Sequence, residues 1–325
     1  MHELLKKARA LGEKAVGLDA KDALRAAKEA DMFALLTVTD AIRRFHKGVE
    51  INLCGIVNAK SGLCKEDCSF CAQSAKYLAN SPEYPMLSSD EIAEKAMEAA
   101  RGGAREFSIV TSGTKVSKGS DVEKLRGAIK KINTETGLES CASLGIMDEE
   151  TLLSLKEAGL HSYHHNLETS RSFFPKVCTT HAYDEDLDTI KRAKKLGFYV
   201  CSGGIFGLGE SWDDRVELAV TLKDAGTDCV PINFLNPRPG TPLEGAKNLT
   251  PEECLRIIAL FRLMMPANDI IVCGGRQVNL KTLQPLIFAA GANGMMVGNY
   301  LTTKGSPVED DMAMLKDLGL RPRGK

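Results

Sequence analysis

From Ile51 onward, short apolar or β-branched runs alternate with stretches in which apolar residues recur every three or four positions. The first pattern predicts strands and the second amphipathic helices, and their alternation predicts βα units on a parallel sheet. Eight strands are predicted, over 51–57, 106–111, 139–144, 162–167, 199–205, 229–234, 270–273 and 294–297. Helix starts are marked by polar and acidic residues at 89–91, 148–150, 184–186, 211–214 and 250–253, the last with Thr250 as cap and Pro251 in the first turn. Gly102, Gly159, Gly197 and Gly226 fall where helices stop.

The eight units span roughly 250 residues, the size of a (β/α)8 barrel. The prediction is therefore a closed TIM-type barrel over about 51–298 within a single domain, 1–325, with an open doubly wound sheet as the alternative. Residues 1–50 predict helices at the barrel base, and 299–325 a short tail with a final helix near 309–318.

Composition is that of an ordinary globular protein, 43% hydrophobic and 26% charged. Forty-two basic and 43 acidic side chains give a net charge of -1, so no overall positive field gathers nucleic acid or anionic lipid. The first residues carry an acid and lack the apolar stretch of an export signal. The longest uncharged run, 282–303, is broken by Pro285, Gly291, Gly294 and Gly298, which suits helix, turn and strand better than a membrane span. A cytoplasmic protein with no nucleic-acid or membrane partner is expected. Its ten cysteines then read as reduced thiols available to metal.

The strongest chemical signal is a C-x3-C-x2-C triplet, Cys64, Cys68 and Cys71, in the loop after the first predicted strand. In a barrel that loop lies on the C-terminal face, where active sites are assembled. A structural zinc site ordinarily closes with four ligands in two pairs, and no second C-x2-C pair occurs. A four-iron cubane held by three cysteines keeps one iron open to a small molecule. Zinc, or three packed thiols with no metal, are the competing readings.

The triplet, with the aromatic Phe70 just before its third cysteine, resembles the motif of the radical S-adenosylmethionine superfamily. The resemblance implies a [4Fe-4S] cluster whose open iron binds S-adenosylmethionine, and a reducing electron that cleaves the sulfonium to a 5′-deoxyadenosyl radical. Further segments, AKSGLCKEDCSFCAQS (59–74), YHHNLETS (163–170), CSGGIFGLGE (201–210), VPINFL (230–235) and AAGAN (289–293), are similar to those of the biotin synthase family, from about residue 35 to the C-terminus. That resemblance implies insertion of sulfur into dethiobiotin. It implies further that Asn166 and Asn233 contact the ureido ring, that Thr302 and Thr303 sit at the carboxylate end, that Glu168 binds the ribose of S-adenosylmethionine, and that Gly203 and Gly204 let the backbone approach the cofactor. An electron donor such as flavodoxin or ferredoxin, cluster-assembly proteins and a homodimer are implied as partners.

Members of the family commonly hold a sulfur-donating [2Fe-2S] cluster on three cysteines and an arginine. Cys141, Cys201 and Arg276 match, but Ser108 stands where the remaining cysteine is expected, and a serine oxygen is a poor ligand for a sulfide cluster. The departure points to a variant form in which Cys141, Cys178 and Cys201 hold a four-iron auxiliary cluster with an extra sulfide, with Cys273 and Arg276 as neighbours; [2Fe-2S] is the alternative. His164 replaces an asparagine, and His181 stands where an arginine is frequent. Cys54, Cys229 and Cys254 read as small buried hydrophobes. The rival functions are a hydrogenase-maturase-like radical enzyme and a non-catalytic iron-sulfur electron carrier or redox sensor.

Overall fold

The computed structural model describes residues 1–116, 119–301, 303 and 305–324. Its strands are β1 (Glu50–Lys60), β2 (Glu106–Thr111), β3 (Glu139–Ser143), β4 (Ser162–His164), β5 (Tyr199–Cys201), β6 (Gly204–Phe206), β7 (Cys229–Phe234), β8 (Asp269–Val272), β9 (Gly294–Met296) and β10 (Arg321–Pro322). Each barrel strand pairs in parallel with the next, and β9 returns to β1 through Asn52↔Gly294 and Leu53↔Met295, which closes the ring. The expected (β/α)8 barrel is thus found, and the open sheet is excluded.

Outside the ring run α4 (Ser89–Arg101), α5 (Ser120–Glu135), α6 (Glu149–Glu157), α7 (Tyr183–Lys195), α8 (Trp212–Asp224) and α9 (Pro251–Met264), then short α10 (Arg276–Leu280) and α11 (Leu286–Ala289). Ser88 and Glu91 form a capping box on α4, Ser211 and Asp214 one on α8, and Thr250 caps α9. Each satisfies orphan amides of a first turn, worth about 1 kcal/mol.

Alternation along the strands sorts the core into two compartments. Leu53, Phe107, Ile109, Ala142, Val200, Val230, Ile232 and Val272 face outward into the main apolar core, which they share with residues of the surrounding helices. Cys201, Cys229, Ile271 and Cys273 form a separate cluster with Tyr199 and Met296 against it. The inward side chains are mostly small or polar, unlike the branched residues that ordinarily fill such a barrel. A cavity of about 320 Å³ remains.

Two details depart from the sequence reading. The strand expected over 199–205 is broken into β5 and β6, because the chain at Gly203 passes so close to β7 that a Cβ there would lie 2.0 Å from the Pro231 oxygen. Strand β10, too short to leave a periodic signal, pairs with the start of β1 through Glu50↔Arg321 and Ile51↔Pro322. The N-terminal segment forms the expected helices, α1 (His2–Gly12), α2 (Ala20–Glu29) and α3 (Met32–Lys47). They flank α8, α9 and α11, and at the end of α3 Lys47 reaches the base to pair with Asp269 at 2.7 Å. The tail carries α12 (Val308–Asp317), as expected for 309–318.

Candidate active site

The triplet loop folds back on itself at the mouth of the barrel. Cys64 donates its N–H to the Gln73 oxygen at 3.0 Å, Ala75 returns one to Cys64 at 2.7 Å, and Cys71 donates to Cys68 at 2.9 Å. Gln73 is fixed in turn by Asn58, Ser61 and the Gly62 amide. All three thiols are free and half-buried. Phe70 packs with Phe173, Val177, Leu208 and Leu235 and lines the cavity mouth.

Cys178 is not deep in the barrel. The neighbouring Cys68, with His181, pulls the Cys178 thiol down to about 4, and Cys178 in turn pushes Cys68 up. His181, 3.3 Å from Cys178 Sγ, contacts Glu66 at 2.8 Å and Asp186 at 3.1 Å. Asp186, then Cys178, hold its imidazolium up to about 11. Asp186 also contacts His165 at 2.9 Å, so a chain of acids and histidines backs the triplet loop. The structure does not bring Cys178 together with Cys141 and Cys201: Cys178 follows β4 on a long loop and ends beside Cys68, whereas Cys141 and Cys201 sit within strands, lower in the barrel.

Glu168 adopts a left-handed backbone, φ 63°, rare for a residue with a side chain, and its field reaches Cys68 and Cys71. Burial, then Asp186, push its carboxyl up to about 8. A Cβ on Gly204 would lie 2.5 Å from the Glu168 oxygen, and one on Gly203 meets Pro231. The close approach these glycines permit is thus between the chain's own segments.

Asn166 and Asn233 both line the cavity. Asn166 accepts from the Gly203 N–H at 3.2 Å and faces Glu168 at 3.4 Å; Asn233 accepts from Gly274 at 2.9 Å and donates to Gly204 at 3.3 Å. Each amide spends one donor and one lone pair on fixing strand ends and keeps one of each for a ligand. Thr303 lines the mouth; Thr302 lies outside the described residues.

The floor of the cavity adds Glu106, which carries no motif in the sequence, to residues already singled out there. Cys54, Glu106, Ser108, His164, Cys201 and Cys273 line it. Ser108 Oγ meets His164 Nδ1 at 3.2 Å, while His164 Nε2 is buried with no partner. Burial lowers His164 to about 4 and raises Glu106 to about 6. Cys54 and Cys229 share the inward phase of the strand residues taken as functional. Arg276 does not line the cavity: Asp311 binds its guanidinium through both carboxylate oxygens at 2.8 Å, and Gln284 accepts from it at 2.9 Å.

Residues 60–222 match the model of the radical SAM superfamily and 231–321 that of the Biotin and Thiamin Synthesis associated domain. The chain is 56% identical over 291 residues to a biotin synthase of Anaeromyxobacter sp. (strain Fw109-5), covering 89% of this chain and 79% of the relative. The chain belongs to the biotin synthase family. A second biotin synthase, from Geobacter sulfurreducens, is 52% identical over 90% of this chain and 89% of its own length. Methylornithine synthase shares the fold, with TM-score 0.83 at 22% identity over 97% of each chain, and so does a maturase of the [FeFe]-hydrogenase, at 0.83 and 15% over 99% of this chain and 76% of its own.

As a biotin synthase family member the chain is a radical S-adenosylmethionine sulfurtransferase with a [4Fe-4S] cluster, S-adenosylmethionine and an auxiliary iron-sulfur cluster as cofactors, and dethiobiotin as substrate. The residues fit these groups. A single zinc holds thiolates about 3.8 Å apart, from a Zn–S bond of about 2.3 Å. Among the described residues, the sets whose ligand atoms lie within 4.8 Å of one another are Glu66 with Cys178 and His181, and Glu106 with Cys141 and His164; the triplet is spread more widely, as a polynuclear cage requires. No described helix is long and apolar enough to cross a membrane.

Glu168 supplies a pH test. In the folded chain it holds a proton up to about pH 8 that the unfolded chain releases near 4.5, so its contribution to stability is full below 4.5 and declines as pH rises toward 8. Glu106 completes a similar decline near pH 6. Between pH 6 and 8 the metal-free Glu168→Gln variant should therefore gain on the wild type by on the order of 1–2 kcal/mol. Parallel melting curves across that interval would refute the assignment.

Proposed function

We propose that this chain forms biotin by inserting one sulfur atom between the methyl and methylene carbons of dethiobiotin, the sulfur coming from the auxiliary cluster at the cavity floor. The observation that carries this reading is a single cavity running from Phe70 and Cys71 at the mouth to Cys54, Glu106 and Cys201 at the floor. A substrate held between them has a radical source above and thiol-bound iron below. Bound at the triplet, the cluster and S-adenosylmethionine supply a carbon radical able to break unactivated C–H bonds.

The chain's own residues orient the reactants. Cys64, Cys68 and Cys71 hold the radical-generating cluster, and Glu168 takes the ribose hydroxyls. Asn166 and Asn233 pair with the ureido ring through the donor and acceptor that each keeps. Thr302 and Thr303 take the carboxylate end. Burial of the cavity walls excludes water that would quench a radical. A low-potential donor such as flavodoxin or ferredoxin, cluster-assembly proteins, a homodimeric state, a cytoplasmic setting and the organisation of 1–325 as one functional unit belong to the same proposal.

Anaerobic protein with both clusters, S-adenosylmethionine and reductant should convert dethiobiotin to biotin, with two 5′-deoxyadenosines released per biotin. Release of 5′-deoxyadenosine without biotin would favour a hydrogenase-maturase-like reaction. S-adenosylmethionine left intact would leave an electron carrier or sensor.

A further inference from the structure

Ser108 removes one thiol from the cavity floor, yet the floor is not short of sulfur. Five cysteines come from five different strands of the ring: Cys54 on β1, Cys141 on β3, Cys201 on β5, Cys229 on β7 and Cys273 just past β8. All five are 5% exposed or less. They act on one another electrostatically across the ring: Cys54 with Cys229 and Cys273, Cys141 with Cys54 and Cys229, and Cys201 with Cys54 and Cys273. Thiols are small, and where valine or isoleucine would close a barrel, these leave open space. Packing alone does not account for five of them in one layer.

Their roles differ. Cys54, Cys201 and Cys273 line the open space, and Cys141 lies with His164 and Glu106 at its edge. Cys229 is outside the lining and packs in one cluster with Cys201 and Cys273. Ser108 is engaged by His164, and Arg276 by Asp311. Ser108 lines the cavity but offers an oxygen where a sulfide cluster takes sulfur, and Arg276 lies outside the lining, two of its nitrogens held and its Nε buried without a partner.

We infer that the auxiliary cluster of this chain is held by Cys54, Cys141, Cys201 and Cys273, with Cys229 packed beside Cys201 and Cys273 and with no contribution from Cys178. The inference rests on the proposed reading that an auxiliary cluster occupies the cavity floor. Four thiolates suit a four-iron cage, and every one of them is a sulfur ligand of the soft kind such cages select. Cys54 and Cys273 thereby replace the missing thiol and the diverted guanidinium.

The test is iron content and Mössbauer spectra of anaerobically reconstituted full-length protein. Wild type should carry about eight irons per chain, and Cys54→Ser and Cys273→Ser about four, with the triplet cluster still present. Serine keeps the volume of the side chain, and survival of the triplet cluster's signal shows that the variant is folded. Cys178→Ala should keep the auxiliary signature. Retention of both clusters in Cys54→Ser and Cys273→Ser, or loss of the auxiliary signature in Cys178→Ala, overturns the ligand assignment. A wild type with only about four irons, all at the triplet, removes the auxiliary cluster itself and with it the reading on which the assignment rests.

Discussion

Cys68→Ala is expected to strip the radical-generating cluster, about four irons per chain, and to end cleavage of S-adenosylmethionine while the barrel stays folded. Three thiols are the whole protein contribution to that cage in the proposed reading, so removing one leaves two on a loop that has no spare ligand facing the gap. Cys178 neighbours Cys68 but is tied to His181 and Thr180 at 3.3 and 3.4 Å. The loss should exceed the 10–100-fold that follows removal of a partner behind a metal ligand. Fold survives because the loop is anchored by Gln73 and by backbone bonds at Cys64 and Ala75, none of which uses the Cys68 side chain. The measurement is 5′-deoxyadenosine release together with far-ultraviolet circular dichroism. A variant that still releases the nucleoside at wild-type rate would remove Cys68 from the cluster.

Arg262→Ala should act on the opposite end of the molecule and on stability. Arg262 is fully buried, and burial lowers its pKa to about 9, still well above neutral. Its guanidinium donates to the oxygens of Gly291 at 2.8 Å, Pro266 at 2.7 Å, Asn268 at 2.8 Å and Asn293 at 2.9 Å. Asn293 passes the connection on to Asp269 at 2.7 Å, which pairs with Lys47. Alanine leaves several buried acceptors unpaired and an acidic network short of one cation, a loss of about 3–5 kcal/mol. The melting temperature should fall by on the order of 10 °C. Lysine should not rescue, since a point charge cannot serve four divergent acceptors. A fall of only a degree or two would show that water takes over those bonds.

Strand number and helix phase were legible because burial on both faces of a parallel barrel writes long apolar runs between polar helices. The triplet was legible because metal chemistry demands several ligands on one short loop. Depth along the barrel was not. Cys178 was grouped with Cys141 and Cys201 since all three follow strands on the same face, and nothing in a linear spacing tells a loop residue at the rim from a strand residue below it. Cys54 and Cys229 are buried, as expected, but that they share one interior was not legible, because only closure of the ring turns alternate strand positions toward one another. The break between β5 and β6 needed a neighbour, Pro231, that lies about 30 residues away in sequence.

Asn52 paired with Glu106, and Arg262 linked through Asn293 to Asp269, occupy the lower end of the barrel, and β10 runs alongside β1 there. If the proposed floor ligands hold, iron and sulfide bound for them would pass Phe70 and Cys71 at the mouth, so the lower centre would be furnished before the upper one and its nucleoside stand in that doorway.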